Sequence, residues 1–360
     1  MGRALVIGGT GPSGPFIVNG LRAREYEVAI LHRGTHEHPD IDPTVEHVHT
    51  DVRLGAAVAD ALTGRRFDVC VVTYGRLREI APALRGISDR LVTVGGYPAY
   101  AGYWDASEFT PQGLPVPVRE DAPKVTSDRE GVKAARVIAT EAAVFAAFPD
   151  AIHLRYPIVY GPNQPVPREW CIVRRILDGR RQIIVPDGGL TIDTRGYVEN
   201  VAHAVLCAVD HPSAGAGRAY NVGDERQLTL AQLVEVIAGE IGAELELISL
   251  PYEFATSARP MIMSPRSTHR LFSVGALRND LGYRDAVPAI EATARTARWL
   301  ADHPLEPGGL EETILTDPFD YDVEDRIISA WGEAAAGLRA ASRYEQHEPG
   351  FTLAYDPPKH

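Results

Sequence analysis

Apolar residues arrive in short blocks separated by glycine-rich or polar turns. Residues 3–7 end in Gly8-Gly9-Thr10-Gly11-Pro12-Ser13-Gly14, after which Phe16, Ile17, Gly20 and Leu21 recur at helical spacing and Val28-Ala29-Ile30-Leu31 forms a second block. A continuous apolar run, a glycine turn, a helical period and another run predict one βαβ unit. Val45–His49 predicts a third strand with Val45 and Val48 partly buried, Leu54–Leu62 a helix, Asp68–Val72 a fourth strand and Leu91–Val94 a fifth. This alternation predicts an α/β fold of Rossmann type, a doubly wound parallel sheet with helices on both faces.

Residues 97–128 break the rhythm with Pro, Gly, Asp and aromatics, and predict a long loop over the carboxyl edge of the sheet. Val132–Phe148 returns as an alanine-rich amphipathic helix and His153–Tyr156 as a strand; Trp170–Leu177, Leu230–Ile241 and Ser273–Leu281 read as helices of a smaller lid. The expected organisation is a dinucleotide-binding domain over 1–165 rejoined by 194–222, and a substrate-binding lid from 166–193 and 223–303. An extension over 304–360 follows, in which Val323, Ile327, Trp331, Ala335 and Leu338 predict a final helix docked on the body. The last fifteen or so residues, polar and proline-bearing, are expected to be extended.

Composition narrows the class. With 36 Lys+Arg against 48 Asp+Glu, the formal charge of −12 repels phosphate backbones on average, so no nucleic-acid partner is expected. Three scattered cysteines, Cys70, Cys171 and Cys207, make neither a disulfide framework nor a zinc knuckle. No apolar run reaches the roughly 18 residues of a membrane span, and the first apolar block runs straight into glycines without a basic leader. A cytoplasmic protein without a membrane partner is expected.

Gly8, Gly11 and Gly14 form G-x-x-G-x-x-G between a strand and a helix. Glycine is needed there because a side chain would block a dinucleotide pyrophosphate from the helix N-terminus. Thr10, Pro12 and Ser13 complete the turn. Arg33, at the end of the second strand, stands where an acidic residue would grip a ribose 2′-hydroxyl, and a guanidinium there suits a 2′-phosphate instead. NADP is therefore favoured with NAD left open; a solvated arginine is the plain alternative. Asp51 and Val52 end the third strand where the adenine edge is expected, with Asp51 equally suited to cap the next helix. Tyr74 is expected to line the same cleft.

With these residues placed, the chain resembles the extended, atypical short-chain dehydrogenases/reductases, the NAD-dependent epimerase/dehydratase-like family. Leu154-Arg155-Tyr156-Pro157-Ile158-Val159-Tyr160-Gly161-Pro162, Tyr197-Val198-Glu199-Asn200-Val201-Ala202, Tyr220-Asn221-Val222-Gly223 and Leu281-Gly282-Tyr283 match its ordered landmarks over about residues 3–303. Arg168-Glu169-Trp170, Arg266 with His269, and an acidic-aromatic stretch after residue 316 are similar to the chloroplast stem-loop-binding group, whose association with RNA the net charge does not support. The resemblance implies a Ser or Thr after the fifth strand and Tyr-x-x-x-Lys on the following helix. Registering the chain on that pattern, with Glu141 on the helix glutamate, puts Gly96, Lys133 and Val137 at those positions. The usual triad is absent.

Tyr97 follows the Ser/Thr position, where resembling dehydratases carry a substrate acid, and Lys133 is the cation expected to depress its pKa. Loop packing for Tyr97 and a solvated helix face for Lys133 stand beside that reading. For substrate, Trp170 suits ring stacking, and Arg195 and Arg266 resemble positions that meet a nucleotide; core packing and ion pairing are the alternatives. His32, His36, His38, His47 and His49 cluster in sequence, but without a carboxylate or cysteine at ligand spacing they read as solvated and no metal is expected. The expected function is an NAD(P)-dependent oxidoreductase, epimerase or dehydratase acting on a small polyhydroxylated or nucleotide-linked metabolite. A non-catalytic NAD(P)-binding sensor or scaffold is the alternative, and homodimerisation is an expectation from the resemblance.

Overall fold

The computed structural model describes residues 2–35, 37–73, 75–108, 111–126, 131–262 and 267–342. Six strands come first: β1 (Gly2–Ile7), β2 (Tyr26–His32), β3 (Glu46–His49), β4 (Val69–Val72), β5 (Leu91–Gly96) and β6 (Ile152–Tyr156). Three short ones follow, β7 (Ile158–Tyr160), β8 (Gln182–Pro186) and β9 (Arg195–Tyr197), then β10 (Arg218–Asn221) and β11 (Glu246–Leu250). The main sheet has seven strands in the order β10-β6-β5-β4-β1-β2-β3, while β11 pairs with β8 and β7 with β9. Every pairing in the main sheet is parallel. The order reverses between β1 and β4, and in such sheets the ligand crevice opens beyond the carboxyl ends at that point.

Helices α1 (Gly14–Arg22), α2 (Gly55–Ala61), α3 (Leu77–Ala83), α4 (Val132–Ala147), α5 (Trp170–Leu177) and α6 (Val198–Asp210) supply the layers. Successive residues of β1 face opposite ways. Ala4 and Val6 pack with Ile17, Val18 and Leu21 of α1 and Val201 and Val205 of α6; Leu5 and Ile7 pack with Val58 of α2, Ile80 of α3 and Val144 of α4. Burial on both faces explains why these strands read as unbroken apolar runs instead of alternating ones. Gly20 lets α1 approach α6 closely, since a Cβ there would stand 2.3 Å from a Leu206 methyl.

The stretch expected as a loop over the sheet edge has its own small core. Tyr97, Tyr100, Tyr103, Leu114 and Val118 pack with Phe272. Below it lies a buried charge. Arg155, 1% exposed, pairs with Glu141 through Nη2 at 2.7 Å and Nε at 3.0 Å, and its Nη1 donates to the Tyr100 hydroxyl at 2.6 Å. Lys124 adds a bond to Glu141 at 2.8 Å. The pair ties β6 to α4, and the tyrosine and lysine tie the 97–126 stretch to both.

Contacts divide the chain into Met1–Asp317 and Pro318–His360. The described part of the second unit carries one helix, Tyr321–Ser342, over the span where the sequence predicts one. The tail expected to be extended lies outside the described residues.

Burial alone would raise the Glu141 carboxyl, but its bonds to Arg155 and Lys124 hold it down, from an ordinary 4.5 to about 2. A depressed carboxylate stabilises the fold above its unfolded pKa and loses that contribution as pH falls through the folded value. In urea unfolding, the Glu141–Arg155 contribution is expected to be flat above about pH 4.5 and to vanish towards pH 2. Glu141→Ala, which strands Arg155, is expected to cost about 3–5 kcal/mol at neutral pH; an unchanged midpoint would show that the guanidinium is solvated.

Candidate functional site

The carboxyl ends of β1, β2 and β4 open into a cleft of about 640 Å3 lined by Gly8, Thr10, Gly11, Pro12, Ser13, His32, Arg33, Thr35, Val52, Thr73, Val94, Tyr156, Val159, Asn163, Gln164, Pro165 and Glu311. The glycine turn forms its floor. Gly8 has a positive φ of 88°, and a Cβ on Gly14 would stand 1.9 Å from the Gly9 carbonyl oxygen, so the chain can return into α1 only with hydrogen there. Gly11 is different: a Cβ would meet nothing nearer than the Gly8 oxygen at 3.9 Å. Bare backbone thus faces the open cleft at the start of a nine-residue helix, an arrangement that accepts phosphate groups. Thr73, at the end of β4, donates to the carbonyl oxygens of Ile7 or Gly8 at 3.3 and 3.1 Å and fixes the turn from the neighbouring strand.

Of the residues singled out from sequence, the structure brings Gly8, Thr10, Gly11, Pro12, Ser13, Arg33 and Val52 to this one cleft. Gly14 stands just beneath it as the first residue of α1. Asp51 is engaged locally: its carboxylate accepts from the Arg53 backbone N–H at 3.0 Å and from the Arg53 guanidinium at 2.8–3.2 Å. The Arg53 bonds hold its pKa near 2. Leu54, not Asp51, is the N-cap of α2. Tyr74 and Arg266 lie outside the described residues.

Sequence reasoning missed the other wall. Thr73 carries a signal, a hydroxyl residue directly after a buried strand. Asn163, Gln164 and Pro165 follow the Tyr-Gly-Pro turn, where a loop returning over the strand ends was foreseeable. Glu311 comes from the start of the 304–360 extension, where the sequence carries no motif.

The proposed acid/base pair is not brought together as a catalytic couple. Tyr97 is 1% exposed, its ring stacks on Phe272 at 3.9 Å between centroids, and its hydroxyl donates to the Val222 carbonyl oxygen. Burial, with Tyr100, Tyr103 and Glu120 adding, pushes its pKa well above 10; the cation that opposes this is Arg155. Lys133 sits in the first turn of α4, exposed, with its ammonium 5.2 Å from the Trp104 ring centroid. A desolvated phenol bonded to a buried carbonyl behaves as a core residue. Tyr156, on the cleft wall, is also committed, donating to the Val201 carbonyl at 2.9 Å, and burial drives its pKa far up.

The residues expected to meet substrate are likewise partnered. Trp170 is 1% exposed and its indole N–H donates to Glu312 at 2.9 Å. Arg195 lies over the Tyr160 ring at 5.0 Å and pairs with Glu169; burial lowers its pKa to about 10. The histidine reading also changes. The missing carboxylate exists: Glu37 reaches within 2.9 Å of His47 and 3.7 Å of His32.

A glycine-floored crevice at the switch point of a seven-stranded parallel sheet defines the class, a Rossmann-type α/β fold. The model of the NAD dependent epimerase/dehydratase family matches residues 123–223 of this chain. The chain is 28% identical to the 3-diazoavenalumate denitrifying reductase of a Streptomyces species, over 86% of this chain and 99% of that protein. It is 24% identical to the chloroplast stem-loop binding protein of 41 kDa b of Arabidopsis thaliana, over 80% of this chain and 76% of that protein. Among solved structures, dTDP-glucose 4,6-dehydratase of Bacillus anthracis in complex with NAD superposes with a TM-score of 0.63 at 16% identity, over 84% of this chain and 98% of that one. Among the described residues no helix is long and apolar enough to cross a membrane.

If Tyr97 is structural, Tyr97→Phe keeps the ring on Phe272 but leaves the Val222 oxygen without its donor. The expected loss is about 1–2 kcal/mol of stability in denaturant titration, with dinucleotide affinity unchanged. Unaltered stability together with lost turnover would return the hydroxyl to the reaction.

Proposed function

We propose that this chain is an NADP(H)-preferring reductase of a small molecule. The observation that carries the reading is that the glycine turn and Arg33 line the same cleft at the switch point. The residues present suit the cofactor: the bare face of Gly11 admits a pyrophosphate, Ser13 and Thr10 border it, and Arg33 answers a 2′-phosphate. A nicotinamide bound here supplies hydride chemistry. Val94, Tyr156 and Val159 offer the cleft an apolar side that excludes water, and Asn163 and Gln164 give it polar edges.

Proton chemistry is what separates the candidate reactions. An epimerase or dehydratase must take a proton from a hydroxyl as it oxidises the sugar, and that needs a positioned base. Gly96, Lys133 and Val137 stand at the family's Ser/Thr, Tyr and Lys positions by sequence register, and Tyr97 is packed away. A reductase of a strongly electrophilic carbon needs no such group. The Streptomyces relative is named for a denitrifying reduction of a diazo compound; in general, an aryl diazonium that gains hydride leaves as arene and dinitrogen, with no proton required. That chemistry supports a reductase above an epimerase. A polyhydroxylated substrate remains compatible with the polar edge. A nucleotide-linked one is less favoured, because Arg195 and Trp170 are committed to Glu169 and Glu312. An RNA role, suggested by the chloroplast relative's name, meets a chain of net charge −12.

The missing triad also favours a second reading, a sensor or scaffold that binds NAD(P) without turnover. Transfer of label from 4-deuterated NADPH to an added electrophile distinguishes the two: label in the product supports the reductase. Arg33→Ala is expected to weaken NADPH about 10–100-fold, the worth of a charged hydrogen bond, while moving NADH less than about twofold. Equal losses for both cofactors would remove the 2′-phosphate from the argument. Gly11→Val, which adds bulk only on the cleft side, is expected to fold normally and to weaken both.

A further inference from the structure

The β2–β3 corner carries a side-chain cluster that the cofactor reading does not use. His32, Glu37, His47 and His49 each offer one ligand atom, and these atoms all lie within 4.8 Å of one another. His32 ends β2 and faces His49 across the ladder; His47 stands opposite Ile30, two residues back. Glu37 belongs to the connection between the two strands. His32 Nε2 is 2.9 Å from His47 Nδ1. One oxygen of Glu37 lies 2.9 Å from His47 Nδ1, and the other lies 3.7 Å from His32 Nε2 and 3.6 Å from His49 Nε2.

These separations can be compared with a coordination polyhedron. Ligands about 2.0–2.1 Å from a tetrahedral Zn2+ stand roughly 3.3–3.4 Å apart. The four separations straddle that value, so sub-ångström movements would close the shell. The three imidazole rings are also mutually edge-on, at 75°, 85° and 79°, so their nitrogens converge without ring stacking.

We propose that His32, Glu37, His47 and His49 form a binding site for a transition-metal dication of the Zn2+ class, on the adenosine edge of the cleft. Three imidazoles and a carboxylate suit Zn2+ and its first-row neighbours and do not suit Mg2+ or Ca2+, which take oxygen shells. Three neutral imidazoles and one carboxylate carry a single negative charge, so the loaded site is singly positive. Loading requires the His32 proton on Nδ1, which gives up the long 3.3 Å bond from the Gly34 N–H. That bond is a small sacrifice against a metal–nitrogen bond. The site would fasten the β2–β3 connection, and with it Arg33 and Thr35 on the cleft wall, to β3.

The test uses the full chain without a polyhistidine tag, stripped with EDTA and titrated with ZnCl2 alone by calorimetry. It needs no nicotinamide cofactor, so its outcome is independent of the proposed reductase activity. The expected result is one Zn2+ per chain, with CoCl2 giving the intense visible bands of tetrahedral coordination. Glu37 and His49 are more than half exposed, so Glu37→Gln and His49→Ala should keep the wild-type circular dichroism. Each is expected to weaken Zn2+ by about 100-fold or more, since even outer-shell partners are worth 10–100-fold. Absence of stoichiometric Zn2+ binding, an octahedral Co2+ spectrum, or folded variants that bind Zn2+ as the wild type does would each overturn the site and leave a hydrogen-bonded histidine cluster.

Discussion

The cleft exists because backbone is allowed to touch backbone at the glycine turn. A Cβ on Gly14 would lie 1.9 Å from the Gly9 carbonyl oxygen, and the Gly14 N–H bonds to the Gly11 oxygen at 2.8 Å. That contact sets the angle at which α1 leaves β1, and Gly20 then sets how closely α1 meets α6. The same turn presents Gly11 with no side chain to the open space. One steric constraint therefore fixes both the packing of a helix layer and the surface offered to phosphate.

At the other end of the sheet, polar side chains do the joining. Tyr97 bonds to the Val222 oxygen and Tyr100 to the Asn221 amide oxygen at 2.6 Å. Glu120 accepts from the Asn221 N–H at 3.1 Å, and the Asn221 amide donates to the Val118 oxygen at 3.2 Å. Arg155 and Glu141 form the charged base beneath them. In resembling enzymes this neighbourhood holds proton-moving groups. Here its hydroxyls bind the 97–126 stretch to β10 and β6, and a phenol spent on a buried carbonyl is a poor acid and a poor base. With Tyr97 buried and its hydroxyl bonded to Val222, this neighbourhood is a packed surface in this chain.

The βαβ start and the five early strands were legible because apolar runs bounded by glycine leave few readings. Helix α3 was not, since its buried face is only Leu77, Ile80 and Ala81, with Pro82 inside it. The short strands β7 and β9 have three residues each, too few for a period. Gly8 and Gly14 were legible because backbone geometry demands glycine there, and the place of Arg33 on the cleft because it directly follows the second strand. Arg195 was assigned by resemblance and Trp170 by its suitability for ring stacking, and their partners Glu169 and Glu312 are supplied by tertiary folding. Glu37 escaped for a related reason: ten residues separate it from His47, and only the β2–β3 ladder closes that distance.

Charge decides between the two ligand classes that the relatives suggest, and it does so through range. At physiological salt, fields from solvent-exposed charges fade over about 8 Å. The dinucleotide proposed for the cleft would meet the backbone of the glycine turn and Arg33 at close quarters, within that range. An RNA helix is long on this scale and meets the average surface, which is acidic. It would gain affinity by releasing counterions to a basic stripe, yet Arg53, just beyond the end of β3, is paired with Asp51. A compact anion can therefore bind a protein whose net charge turns a polyanion away.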